Sequence, residues 1–258
     1  MIAALNARLA PIATMIENVG LTNAFFGLFE ISVVIWFALY AAWTLARSEE
    51  AVAEPWQRGD AIVLALLVAA TLMPLPMPAI AAGCGAGLWL LLTSKPGSAS
   101  RRMAIILTAI TLQQILGRLF MTLFSDFILA ADIFLVDQVS VLEGQGNVLT
   151  RTDGTQMIVS SSCSSIKNLS YALLAWVAAS QLFAIPLTRR LMAYVLASMV
   201  VIFLINSLRL LLMGWYPEHF DYLHVGSGAA LFGWSGFLLL ALMAGIAVLH
   251  LAPRRQPA

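Results

Sequence analysis

Residues 191–213 read LMAYVLASMVVIFLINSLRLLLM, a run of 23 residues in which Arg209 is the one charge. At 1.5 Å per residue such a helix is about 34 Å long, and the hydrocarbon slab of a bilayer is about 30 Å thick. The rest of the chain repeats the pattern. Of 258 residues, 61% are apolar and 10% charged, and the mean hydropathy is +0.90, whereas an average soluble domain is about 25% charged. Backbone polar groups inside hydrocarbon must be satisfied within each segment. The expected fold is therefore an all-α polytopic integral membrane protein, a single transmembrane helical domain over residues 1–258.

Outward from that run, residues 22–46 form another span, closed by Arg47, Glu49, Glu50 and Glu54. The stretch 61–93 is too long for one helix, and Pro74, Pro76 and Pro78 interrupt it, so two short helices are expected. Residues 103–124, 163–183 and 225–250 bring the count to seven spans, and residues 1–21 add an eighth or lie along the surface. No cleavable signal peptide is expected there. The piece 126–136, with acids at 126, 132 and 137, reads as an interfacial helix. Residues 137–162 are the one sizeable polar insert. Gly144, Gly146 and Gly154 punctuate short β-branched runs in it, the pattern of a small extracytoplasmic β-hairpin.

Lys and Arg are retained on the cytoplasmic side of a bilayer. One set of loops carries Arg47, Arg58, Lys95, Arg101, Arg102, Arg189, Arg190, Arg254 and Arg255. The opposite set carries Asp126, Asp132, Asp137, Glu143, Asp153, Glu218 and Asp221 with Arg151 as its one base. The first set is the cytoplasmic one, in a cytoplasmic (inner) membrane. The insert, the start of the 163–183 helix, the end of the 191–213 helix and the loop 214–224 then share the outer face. A near-neutral balance, 14 Lys and Arg against 13 Asp and Glu, excludes the clustered basic face that a nucleic-acid partner demands.

Ionisable groups at membrane depth are functional candidates, and four stand in the expected spans: Glu30, Arg118, Lys167 and Arg209. Lys167 and Arg118 lie near helix ends, where long side chains snorkel to the interface. Glu30 is a candidate to support a site or to pair with Arg118 or Arg209. Asn206 and Arg209 share one helix face at the i, i+3 spacing. Cys163 follows Ser160, Ser161 and Ser162 at a helix start, where the helix dipole and a nearby cation, Lys167, favour a thiolate. Cys84, inside AAGCGAG, reads as packing. Two cysteines suggest neither a disulfide framework nor a thiolate metal cluster, and no cofactor is expected. Of three histidines, His250 lies at the far, cytoplasmic end, whereas His219 and His224 lie outside. A thiol, a cation and a base thus converge from three helices at one membrane level, the set that cysteine acyl transfer requires.

At these residues the chain resembles the exosortase/archaeosortase family of membrane-embedded transpeptidases. The features run in order: Gly146-Asn147-Val148, then Ser162-Cys163-Ser164-Ser165-Ile166-Lys167, then Asn206-x-x-Arg209, then His224 ahead of Phe232-Gly233-Trp234. The resemblance implies a catalytic set of Cys163, Arg209 and His224, with Asn206, Ser164, Lys167, Glu30 and Arg118 as substrate-binding or supporting residues. It also implies substrates that carry a C-terminal sorting signal: a short motif, a transmembrane helix and a basic tail. One departure concerns that substrate. The family commonly has Cys-Ser-Gly where this chain has Cys163-Ser164-Ser165.

Three other classes compete. A transporter or channel would line a polar pathway with Glu30, Gln113, Gln114, Arg118 and Arg209, but these gather toward one face instead of the midplane expected of a carrier, and no inverted repeat is found. A serine protease would pair Ser164 with Lys167, or Ser227 with His224. A non-catalytic membrane assembly factor would need none of these groups reactive.

Overall fold

The computed structural model of the protein describes Glu17 and residues 32–48, 56–73, 75–160 and 163–253. The segment 1–21 apart from Glu17, Glu30 with the rest of 22–31, and the basic pair Arg254 and Arg255 lie outside the described residues. The chain divides into two compact units, one of residues 1–115 and 174–185 and one of residues 116–173 and 186–256.

In the first unit, helix α1 (Val33–Ala46) starts where Ser32 Oγ accepts from the amide of Val34. It ends with the Arg47 guanidinium 4.2 Å above the Trp43 ring. Helices α2 (Arg58–Leu72) and α3 (Pro76–Thr93) are the two short helices expected from 61–93, and the break falls at the proline cluster. Proline is tolerated in the first turn of a helix and not in its interior, which is why α3 can begin on Pro76. Asp60 joins the pair. One carboxylate oxygen accepts from the Gln57 amide at 2.7 Å and the other from Trp89 Nε1 at 2.7 Å. After a turn at Lys95-Pro96-Gly97, with Gly97 at φ +80°, Ser98 Oγ accepts from the Arg101 amide and opens α4.

Helix α4 runs from Ala99 to Val139, across the boundary expected between a span and a separate interfacial helix. The break survives as a kink. Phe124 leaves helical geometry at φ −131°, ψ 21° while the helix resumes on both sides. The polar insert forms three short antiparallel strands, β1 (Glu143–Gln145), β2 (Val148–Thr150) and β3 (Gln156–Ile158), in the order β1-β2-β3. It is a meander, with one strand more than a hairpin. Gly146 at φ +62° occupies the first position of the two-residue β1–β2 loop, where a tight hairpin needs a positive φ. In the β2–β3 loop the Thr155 amide donates to Asp153 at 2.9 Å, and this bond holds the Asp153 carboxyl below the usual carboxylate range.

Helix α5 (Ser165–Leu182) follows. Next comes α6 (Arg189–Trp215), capped by Thr188 Oγ1 accepting from the Leu191 amide. A 3₁₀ turn (Pro217–His219) leads into the short helix α7 (Phe220–His224) and then α8 (Ser227–Leu251). Gly226 and Gly228 allow the α7–α8 corner. A Cβ at Gly226 would lie 2.9 Å from the Cα and carbonyl oxygen of Tyr222, and one at Gly228 would strike the Tyr222 ring. By length and composition α4, α6 and α8 can cross a membrane, and α1 and Met77–Thr93 are shorter apolar helices.

The core of the second unit gathers Leu129, Ile133 and Val136 from α4, Leu142, Leu149 and Val159 from the insert, Leu210 and Met213 from α6, and Leu223 from α7. Cys163 belongs to the same cluster. Residues of the insert therefore share one core with α4, the C-terminal part of α6 and α7.

Candidate active site

The chain leaves β3 through Val159, whose amide donates to the Asn147 carbonyl at 2.8 Å. Four residues on, the Cys163 amide donates to the Ser160 carbonyl at 2.9 Å. Ser160 Oγ stands 3.9 Å from Cys163 Sγ. Cys163 is 4% exposed, buried two residues before the first residue of α5.

Its surroundings are polar and bonded. Asn206, 3% exposed on the face of α6, donates from Nδ2 to the Cys163 carbonyl at 2.9 Å. One helical turn farther along that face, Arg209 donates from Nε to the Leu223 carbonyl and from Nη2 to the His224 carbonyl, both at 2.8 Å. Asn206-x-x-Arg209 thus ties the main chain of Cys163 to the main chain of His224. Buried carbonyls need such donors, since leaving one unpaired costs roughly 1–3 kcal/mol. Arg209 and His224 are half-buried, and the Phe220 ring lies 5.0 Å from the imidazole, centroid to centroid.

The other residues expected at the site divide. Ser164 is buried and takes part: its Oγ accepts from the Ile166 amide at 3.3 Å and donates to Asp132 Oδ2 at 2.8 Å. Lys167 and Arg118 are exposed, the disposition of side chains reaching outward. Glu30 lies outside the described residues. Ser227, weighed as a nucleophile, is exposed at the start of α8. Among the histidines, His219 is exposed beside Tyr216 and helps line a shallow groove of about 350 Å³ with Leu212, Tyr216, Tyr222 and Leu223. His250 accepts or donates at Nδ1 with the Tyr194 hydroxyl, 2.9 Å away. Residues 194 and 209 are 15 positions apart on α6, about 22 Å along its axis.

One residue was missed. Asp132, read as part of a wet interfacial helix, is 1% exposed. Besides Ser164 it receives the Ser165 amide, at 3.0 Å to Oδ2 and 3.3 Å to Oδ1. A carboxylate at a helix N-terminus satisfies amides with no partner inside the helix and complements the dipole. The signal was present in the spacing: Leu129, Asp132, Ile133 and Val136 recur at i, i+3, i+4 and i+7, which puts the acid on the apolar face instead of the wet one.

Compared with known families, residues 26–241, 216 of the 258, match the transmembrane exosortase family. The chain belongs to that family. The matched span contains Asp132, Cys163, Asn206, Arg209 and His224. Exosortases are in general membrane cysteine transpeptidases, so membership gives this chain a transpeptidase- or protease-like function in a membrane. Neither the curated proteins nor the solved structures contain a match.

Proposed function

We propose that the protein is an intramembrane cysteine protease/transpeptidase that cleaves the C-terminal sorting signals of membrane-tethered proteins on the outer side of the cytoplasmic membrane. The observation that carries this reading is the hydrogen-bonded line from the Cys163 carbonyl through Asn206 and Arg209 to the His224 carbonyl. It supports the reading by tying the main chains at Cys163 and His224 to one face of α6. The excess of Lys and Arg in the loops on the other side supports the orientation.

Catalysis then follows from the groups themselves. The Cys163 sulfur attacks the scissile carbonyl while His224 takes the thiol proton and later delivers it to the leaving amine. Arg209 has five N–H groups. Nε and one N–H of Nη2 serve the carbonyls of Leu223 and His224, and the remaining N–H groups stabilise the oxyanion as it develops, in a site where low dielectric strengthens each bond. The thioester is resolved by an amine, which transfers the protein to an anchor, or by water. Co-expression with tailed candidate proteins tests the reading through a gel shift on loss of the tail. Wild type should shorten a substrate that Cys163→Ala and His224→Ala leave intact. Continued shortening by Cys163→Ala overturns the proposal.

A further inference from the structure

Asp132 is an acid in a helix face otherwise made of Leu129, Ile133 and Val136, at 1% exposure. Its bonds converge on the two residues that follow Cys163: the Ser164 hydroxyl at 2.8 Å and the Ser165 amide at 3.0 Å. The Ser164 oxygen is at the same time the acceptor for the Ile166 amide, so one hydroxyl relays between the helix end and the carboxylate. Asn206 holds the Cys163 carbonyl, and the Ser160 carbonyl accepts the Cys163 amide. The main chain of residues 163–165 is therefore bonded to α4, to α6 and to Ser160, two residues past the end of β3.

We infer that Asp132 is a positioning residue for Cys163: its carboxylate locks the Cys163-Ser164-Ser165 turn so that the sulfur faces the substrate carbonyl. The inference rests on the reading of Cys163 as nucleophile. Side-chain freedom at the cysteine then reduces to rotation about one bond. A reacting atom displaced by about 1 Å can lose on the order of 100-fold in rate, and a carboxylate bonded to the two residues that follow the nucleophile controls displacements of that size. Ser165 fits the same account. Where the family commonly has glycine, this chain has Ser165, buried at 4% exposure, whose main-chain amide donates to Asp132.

The test uses the full chain, co-expressed with a tailed reporter that wild type shortens, and reads the conversion rate per folded molecule, with folded enzyme counted by detergent-resistant monodisperse protein. Asp132→Asn keeps the shape, can accept the Ser165 amide and can donate to the Ser164 oxygen. Asp132→Leu keeps the volume and loses every bond. The expected result is a fall of about 10- to 100-fold for Asp132→Leu, with Asp132→Asn retaining most of the wild-type rate. If Asp132→Leu does not accumulate, Ser164→Ala takes its place, and a fall of about 10-fold per folded molecule is expected. Wild-type turnover in Asp132→Leu or Ser164→Ala overturns the inference, because a merely structural acid changes the amount of folded protein and not its rate. A loss in Asp132→Asn as large as in Asp132→Leu also overturns it, since hydrogen-bond geometry would then not be the cause. Cys163→Ala is run beside them. Its activity would sink the nucleophile assignment itself, whereas an inactive Cys163→Ala beside fully active Asp132 variants sinks only the present inference.

Discussion

The two ends of α6 use their polar side chains in opposite ways. Near its C-terminus, Asn206 and Arg209 donate to carbonyls of other elements, those of Cys163, Leu223 and His224. Near its N-terminus, Tyr194 meets the ring of His250 directly, and both residues are exposed or nearly so. At the first end the histidine is held by its main chain, and at the second by its imidazole. A histidine that must carry a proton needs a fixed position, and bonds to its main chain supply one. A histidine whose ring nitrogen is engaged by a phenol has a structural partner. The same residue type is thus held differently at the two ends, through the main-chain carbonyl at one and a ring nitrogen at the other.

The largest test of this contrast is topological and all-or-none. If the ends face opposite compartments, a cysteine placed at Thr152 or Glu218 in a Cys84→Ala, Cys163→Ala background should react with a membrane-impermeant maleimide in intact cells, and one at Ser98 or Thr188 should not. Labelling from the same side at both ends would break the comparison at its root. The second test concerns Arg209. Arg209→Lys retains charge but not the planar fork that reaches two carbonyls at once. Processing of a tailed reporter should fall by about 100- to 1000-fold, and thermal stability in detergent should also drop, because α7 loses two charge-assisted bonds. Full processing with lowered stability would leave Arg209 as an anchor for His224 alone.

Much of the architecture was legible in the amino-acid string because lipid imposes strict rules on it. The prolines at 74, 76 and 78 marked the α2–α3 break, and the apolar runs marked α6 and α8, since hydrocarbon demands length and continuity. The kinked α4 was legible only in part. Asp126 and Asp132 look alike as letters, yet one is exposed and the other buried, and composition cannot distinguish them where periodicity on the helix face can. The turn that buries Cys163 was not legible. Serines before it suggested a cap, but the acceptor that organises the helix end comes from Asp132, 31 residues earlier, a contact no local pattern encodes. Lys167, read as a side chain snorkelling from a helix end, is exposed.

A third, smaller effect is expected at Asn206. Asn206→Leu keeps the approximate volume and removes the donor to the Cys163 carbonyl, so a buried acceptor loses its partner at a cost of roughly 1–3 kcal/mol. Processing should fall by about 10-fold, less than for Arg209→Lys because the turn keeps its bonds to Asp132. A loss equal to that of Arg209→Lys, measured in the same reporter assay, would mean that the α6 face acts as one unit and that the two residues cannot be ranked.

The smallest effect belongs to the other end of α6 and decides whether the contrast is real. Tyr194→Phe deletes one hydroxyl and leaves the ring that packs beside α8. The lost bond joins two side chains near the surface, where a hydrogen bond contributes about 0.5–1.5 kcal/mol at most, because water replaces the partner. The His250 imidazole is not stranded by the change, so no buried-group penalty is added. A small drop in thermal stability is therefore expected, together with processing indistinguishable from wild type. His250→Gln should behave alike, and the double variant should lose no more than the larger of the two single losses, since both remove one bond. Cleavage that falls in Tyr194→Phe to the level of Asn206→Leu would show that strain at the far end reaches Cys163 through about 22 Å of helix, and the two ends would then have to be treated as one coupled device.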